Sequence, residues 1–147
     1  MEKHADIITL GELLIDLTQK GSDENGNGEF TAYPGGAPAN VAVAAARLGA
    51  GAAFIGKVGD DAFGRSLADT LKKEGVDTSG LYSSEEAPTT LAIVSVDETG
   101  ERDFSFYRDP GADTQLTEEE AVRAVTQNGS AKILHIGSLS MTASPSR

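Results

Sequence analysis

Cysteine is absent from the 147 residues. That removes disulfides and thiolate metal sites, and it fits a chain working in the cytoplasm. Tryptophan is absent too, and aromatic residues make up only 5%. No apolar run approaches the ~20 residues that a membrane-crossing helix needs, so no membrane partner is expected. The first residues, Met1-Glu2-Lys3-His4-Ala5-Asp6, lack a secretory pattern. Positive charge is scarce: 12 Lys and Arg stand against 23 Asp and Glu, a formal net charge of −11. A field of that sign argues against a nucleic-acid partner. It does not attract ATP either, so a neutral small substrate is the easier fit.

Apolar residues make up 39%, enough for a core and too many for disorder. Strand-like and helix-like stretches alternate, which indicates an α/β domain. Residues 7–17 read as a strand with a polar interruption at Gly11-Glu12, where a bend or bulge is expected. Residues 21–28 form a turn or mobile loop, and Glu29 to Tyr33 a short strand. Helices are predicted over 38–48, 61–74 and from the capping box at Thr117-Glu118-Glu119-Glu120 to about Gln127. Residues 52–58 and 131–137 read as buried strands. Residues 89–96 and 101–108 form a hairpin around the turn Asp97-Glu98-Thr99-Gly100. The uniformly apolar strands suit a parallel sheet covered on both faces. The less apolar ones suit a separate small sheet, which the first strand can join beyond Gly11.

The densest signal is Gly35-Gly36-Ala37-Pro38-Ala39-Asn40, running into Val41-Ala42-Val43-Ala44-Ala45-Ala46-Arg47-Leu48-Gly49. Two glycines allow a ligand close to the backbone. An asparagine at the mouth of a helix adds an amide beside free N–H groups. A neutral polyol suits that place, and so does an anion. A tight turn ahead of a buried alanine-rich helix explains the same residues. The next segment, Gly56-Lys57-Val58-Gly59-Asp60-Asp61-Ala62-Phe63-Gly64, decides between them. In this order, with a strand between, the two stretches resemble the N-terminal signature of the ribokinase-like (PfkB) carbohydrate kinases. Phe106-Tyr107-Arg108-Asp109-Pro110-Gly111-Ala112-Asp113 is similar to a stretch of the fructokinase branch of that family.

The resemblance implies a three-layer α/β/α fold, N-terminal part only, with a small β-sheet lid over about 12–20, 29–34 and 89–108. It implies sugar-binding roles for Asp16, Gly35, Gly36 and Asn40, with Ala92, Phe106 and Arg108 lining the lid. A carboxylate such as Asp16 suits adjacent hydroxyl donors because it offers several lone pairs. Phe104, Phe106 and Arg108 share one face by the period of two. Gly59-Asp60-Asp61-Ala62-Phe63-Gly64 reads as a structural strand-to-helix turn. His135 reads as a buried core histidine, His4 as chemically silent, and residues 118–120 as a helix start rather than a metal site.

The family's catalytic base lies in a late Gly-Ala-Gly-Asp motif, and its ATP and Mg²⁺ sites are late as well. Neither that motif nor a P-loop pattern occurs in this sequence. The chain is therefore expected to be the acceptor half of a kinase acting on fructose. Ribokinase, 2-keto-3-deoxygluconate kinase, nucleoside kinase and a non-catalytic sugar-binding module are the alternatives. A dehydrogenase-type nucleotide domain is disfavoured, because Gly11-Glu12-Leu13-Leu14 lacks further glycines and an immediate helix. A homodimer through the lid is a further expectation. A sheet ending after Ile136 would leave an open edge and uncovered apolar faces. The isolated chain is thus expected to be unstable, to aggregate or to pair, and a clean monomer with a cooperative melt would contradict that.

Overall fold

A computed structural model describes residues 5–96 and 99–146. The chain builds two four-stranded sheets. The first contains β1 (Ile7–Leu10), β4 (Ala52–Gly59), β5 (Asp77–Ser84) and β8 (Ile133–Ile136). Its order is β5-β4-β1-β8, with every pair parallel. The second contains β2 (Leu14–Ser22), β3 (Gly28–Gly35), β6 (Leu91–Val96) and β7 (Arg102–Tyr107), in the order β3-β2-β6-β7. Only β2 and β6 run parallel within it.

Helices α1 (Ala37–Arg47) and α2 (Ala62–Lys73) lie on one face of the first sheet, and α3 (Glu118–Gln127) lies on the other. The alternation along β4 explains this layering. Phe54 and Val58 join Ala39, Ala42, Leu67 and Leu71 in one core. Ala53 and Ile55, pointing the opposite way, join Ile8, Leu116 and Ala124 in the other. Two short 3₁₀ turns, Ala112–Gln115 and Ser138–Met141, complete the described chain.

The helix ends follow their sequence signals. Thr117 accepts a hydrogen bond from the Glu120 N–H at 3.2 Å, and Glu120 accepts one from the Thr117 N–H at 2.9 Å. Glu120 also receives Lys57 at 2.8 Å, tying α3 to β4. Gly64 must lack a side chain, because a Cβ there would overlap the Gly59 carbonyl. The predicted interruption at Gly11-Glu12 is where the chain passes from the first sheet to the second. The loop after β2 is tighter than its glycines suggested. Asp23 accepts N–H bonds from Asn25 and Asn27 at 2.9 and 2.8 Å, leaving only residues 23–27 outside the strands.

Three expectations need correction. β5 was not foreseen, because Asp77-Thr78-Ser79-Gly80-Leu81-Tyr82-Ser83-Ser84 has little apolar content. It is an edge strand made by pairing with β4, and Gly80 lets it approach Ile55 and Ala124. β8 was expected to be buried. It is the other edge, and Ile133, Leu134 and Ile136 are 56%, 51% and 45% exposed. An apolar pattern shows that a strand can be covered; the cover must come from another element. For the same reason His135 is half-buried rather than buried. The expected turn over residues 97–100 includes 97 and 98, which lie outside the described residues, as does His4.

Asp61 carries the clearest test of this framework. Its carboxylate accepts the Gly64 N–H, the Thr89 N–H and the Thr89 hydroxyl, each at 2.8 Å. Burial alone would raise its pKa, but these donors outweigh burial and hold it below the ordinary aspartate value. A depressed folded pKa stabilises the native state above the unfolded value, and that contribution disappears as pH falls through the folded one. Asp61→Ala is expected to cost about 2 kcal/mol in urea denaturation near neutral pH. The difference from the parent should shrink at acid pH.

Candidate functional site at the junction of the two sheets

Asp16, on β2, is opposite Tyr33 on β3 and Ala92 on β6, and Ala92 is opposite Phe106 on β7. Directly paired residues project from the same face of a sheet. One row across four strands therefore reads Tyr33, Asp16, Ala92, Phe106. The next row on that face reads Thr31, Thr18, Val94, Phe104. The rings of Phe104 and Phe106 are stacked, with centroids 6.4 Å apart and planes 15° from parallel. Lys20 lies over the Tyr33 ring at 5.1 Å. Sequence reasoning overlooked Tyr33, although the alternation of β3 could have placed it beside Asp16 once the register was known.

Asp16 is half-buried, and burial raises its pKa. No described residue donates a hydrogen bond to its carboxylate, which packs directly on Gly35. A Cβ at Gly35 would overlap Asp16 Oδ2 and approach Leu14 Cδ1 to 3.0 Å. Gly36 follows with φ at +112° and caps α1. A Cβ there would overlap the Glu12 carbonyl. The Gly36 carbonyl then accepts the Asn40 N–H at 2.9 Å. Asp16 thus meets Gly35 just before the start of α1, and Asn40 follows Gly36 by one helical turn. Asn40 is exposed there.

Arg108 follows β7 directly. β7 ends at Tyr107, and Arg108 turns to Asp113 with an ion pair of 2.7 Å. Its guanidinium also donates to the Leu139 carbonyl at 3.3 Å. Asp113 is fully buried and accepts a second bond from the Thr90 hydroxyl. Arg108 still borders a cleft of about 320 Å³ shared with Phe106, Asp109 and Leu139. A larger depression of about 530 Å³ lies at the opposite ends of the strands, against Ala52 and Asp77, and touches none of these residues. Ala92 is 1% exposed, so it floors the row without offering a polar group. Glu118, Glu119 and Glu120 open α3, and no cluster of three metal-ligating side chains exists among the described residues.

The architecture is an α/β/α stack joined to a second sheet, with a carboxylate and a glycine pair at the joint. The sequence pattern described as pfkB family carbohydrate kinase matches residues 4–147. The chain belongs to this family, and its fold is part of the ribokinase-like one. Fructokinase-2 of Oryza sativa subsp. japonica is 46% identical over 143 residues, which cover 96% of this chain and 42% of the rice protein. The crystal structure of fructokinase from Xylella fastidiosa superposes with a TM-score of 0.87 at 41% identity, covering 98% of this chain and 43% of that one. A Xylella fructokinase structure with bound ATP superposes at 0.85 with 40% identity, covering 98% and 44%. The chain therefore spans less than half the length of these relatives.

Because burial raises the Asp16 pKa, ionising it weakens the free fold. Its stabilising contribution is present below the ordinary aspartate value and is lost as pH rises through the folded one. Asp16→Asn is therefore expected to melt slightly higher than the parent at neutral pH, and to match it in acid. A variant melting below the parent at neutral pH would contradict this assignment.

Proposed function

We propose that this chain is the acceptor-binding part of an ATP-dependent kinase whose acceptor is fructose. The observation that carries the reading is Asp16. Its carboxylate is partly desolvated, receives no hydrogen bond from any described residue, and is seated against Gly35 at the helix mouth. Adjacent sugar hydroxyls would supply the donors that it lacks. Gly35 and Gly36 would let the sugar approach the backbone, and Asn40 would add an amide. The second sheet would act as a lid, with Ala92, Phe106 and the Arg108 rim over the sugar. The choice of fructose rests on the Phe106–Asp113 stretch and on the names of the relatives.

ATP and Mg²⁺ belong to the proposed reaction but do not fit the residues present. The sequence contains no P-loop pattern and no Gly-Ala-Gly-Asp. In this reading the base, the anion hole and the nucleotide site are supplied by sequence outside the chain. The residues described hold and orient the acceptor and exclude water from it. The exposed aromatics Phe104, Phe106 and Tyr107 would serve a homodimer through the second sheet. A cysteine-free chain in which no described helix is long and apolar enough to cross a membrane fits a cytoplasmic enzyme.

Calorimetric titration tests the reading. Fructose is expected to bind without nucleotide. Asp16→Ala should weaken it about a hundredfold, as expected for losing two hydrogen bonds to a charged group. Unchanged affinity in Asp16→Ala would remove the site. The pure 147-residue chain should not phosphorylate fructose with ATP, and measurable turnover would overturn the division of labour.

A further inference from the structure

We propose that Glu12 is the positioning residue of the acceptor site, its carboxylate fixing the Gly35-Gly36-Ala37 backbone opposite Asp16. The inference rests on the sugar-binding reading above. Glu12 follows β1 where the chain crosses between the sheets, and it is only 4% exposed. Its Oε1 accepts the Ala37 N–H at 3.1 Å, from 25 residues away. Helix α1 needs such a partner. Its cap, Gly36, has no side chain, and its first turn contains no acid. The open N–H groups of a helix start favour a negative group, and Glu12 supplies it from a different element.

The other oxygen, Oε2, is buried without a hydrogen-bond partner. Gly137, after β8, leaves the room it occupies. A Cβ there would stand 2.9 Å from Oε2 and 3.0 Å from Pro38 Cγ. Pro38 also covers Gly11, where a Cβ would come within 2.6 Å of its ring. Burying a carboxylate oxygen unpaired costs more than one charge-assisted bond returns. Stability alone therefore does not account for Glu12.

Geometry accounts for it. One short segment sets three successive loop residues. The Glu12 carbonyl abuts Gly36, the Glu12 carboxylate holds Ala37, and the Asp16 carboxylate abuts Gly35. Without the Glu12 bond, the start of α1 can shift relative to Asp16, and Asn40 shifts with it. The function needed from residue 12 is an acceptor with the right reach, and its charge is secondary.

Two substitutions separate reach from charge in the full polypeptide. Glu12→Gln keeps an acceptor at the same distance and removes the charge. Glu12→Asp keeps the charge and is too short to reach Ala37. Backbone hydrogen exchange over residues 33–40 gives the sugar-independent readout, with residues 52–59 as the internal control. Glu12→Asp should speed exchange in 33–40 about tenfold, leave 52–59 unchanged and weaken fructose binding about tenfold, the loss expected for one charge-assisted bond. Glu12→Gln should stay within about threefold of the parent in both readouts. Parent-like exchange in Glu12→Asp overturns the proposal, as does equal loosening in Glu12→Gln. General unfolding of Glu12→Asp, with 52–59 exchanging as fast as 33–40, also overturns it by making Glu12 a structural residue only. If the parent fails to bind fructose, the sugar reading falls while the exchange data still decide whether Glu12 positions the loop.

Discussion

The close approach of the Gly35-Gly36 backbone to residues 12–16 is the constraint on which the rest of the site depends. No side chain fits at either glycine, because one faces the Asp16 carboxylate and the other the Glu12 carbonyl. That contact joins the end of β3 to the crossing between the two sheets. It also aims α1 so that its first turn opens beside β2. Replacing either glycine would push the second sheet and the helix apart, and the carboxylate would no longer face the helix mouth. Pro38 reinforces the joint from the other side by packing on Gly11 and Gly137.

Around that joint the chain concentrates polar groups that its fold leaves incompletely paired. Asp16 accepts no hydrogen bond from a described residue, and Glu12 satisfies only one of its oxygens. Elsewhere a buried acid and two half-buried ones are well supplied. Asp61 accepts three hydrogen bonds, Asp113 is held by Arg108 and Thr90, and Glu120 by Lys57 and its own cap. The contrast separates acids that build the framework from acids that leave lone pairs open to something else. Unpaired charge held away from water is costly, and its concentration at this junction among the described residues is the physical argument behind the proposed binding site.

Much of this was legible in the sequence because it depends on short-range rules. The capping box at Thr117 and the acid at Asp61 mark where α3 and α2 begin. The apolar run of β4 announced burial on both faces, and the glycine pair announced a close backbone approach. The misses share one cause. β5 has a polar sequence and exists because β4 offers an edge to pair with. β8 has an apolar sequence and is exposed because nothing described covers it.

The sequence by itself determined the α/β character and, to within a residue or two, the helix boundaries. Local hydrogen bonding and side-chain period govern those features, and both act within a few residues. Only the tertiary structure decided that Tyr33, Asp16, Ala92 and Phe106 form one row, and that Glu12 caps a helix 25 residues later. Strand register and cross-sheet contacts join residues far apart in the chain, and no local pattern encodes which distant neighbour will arrive.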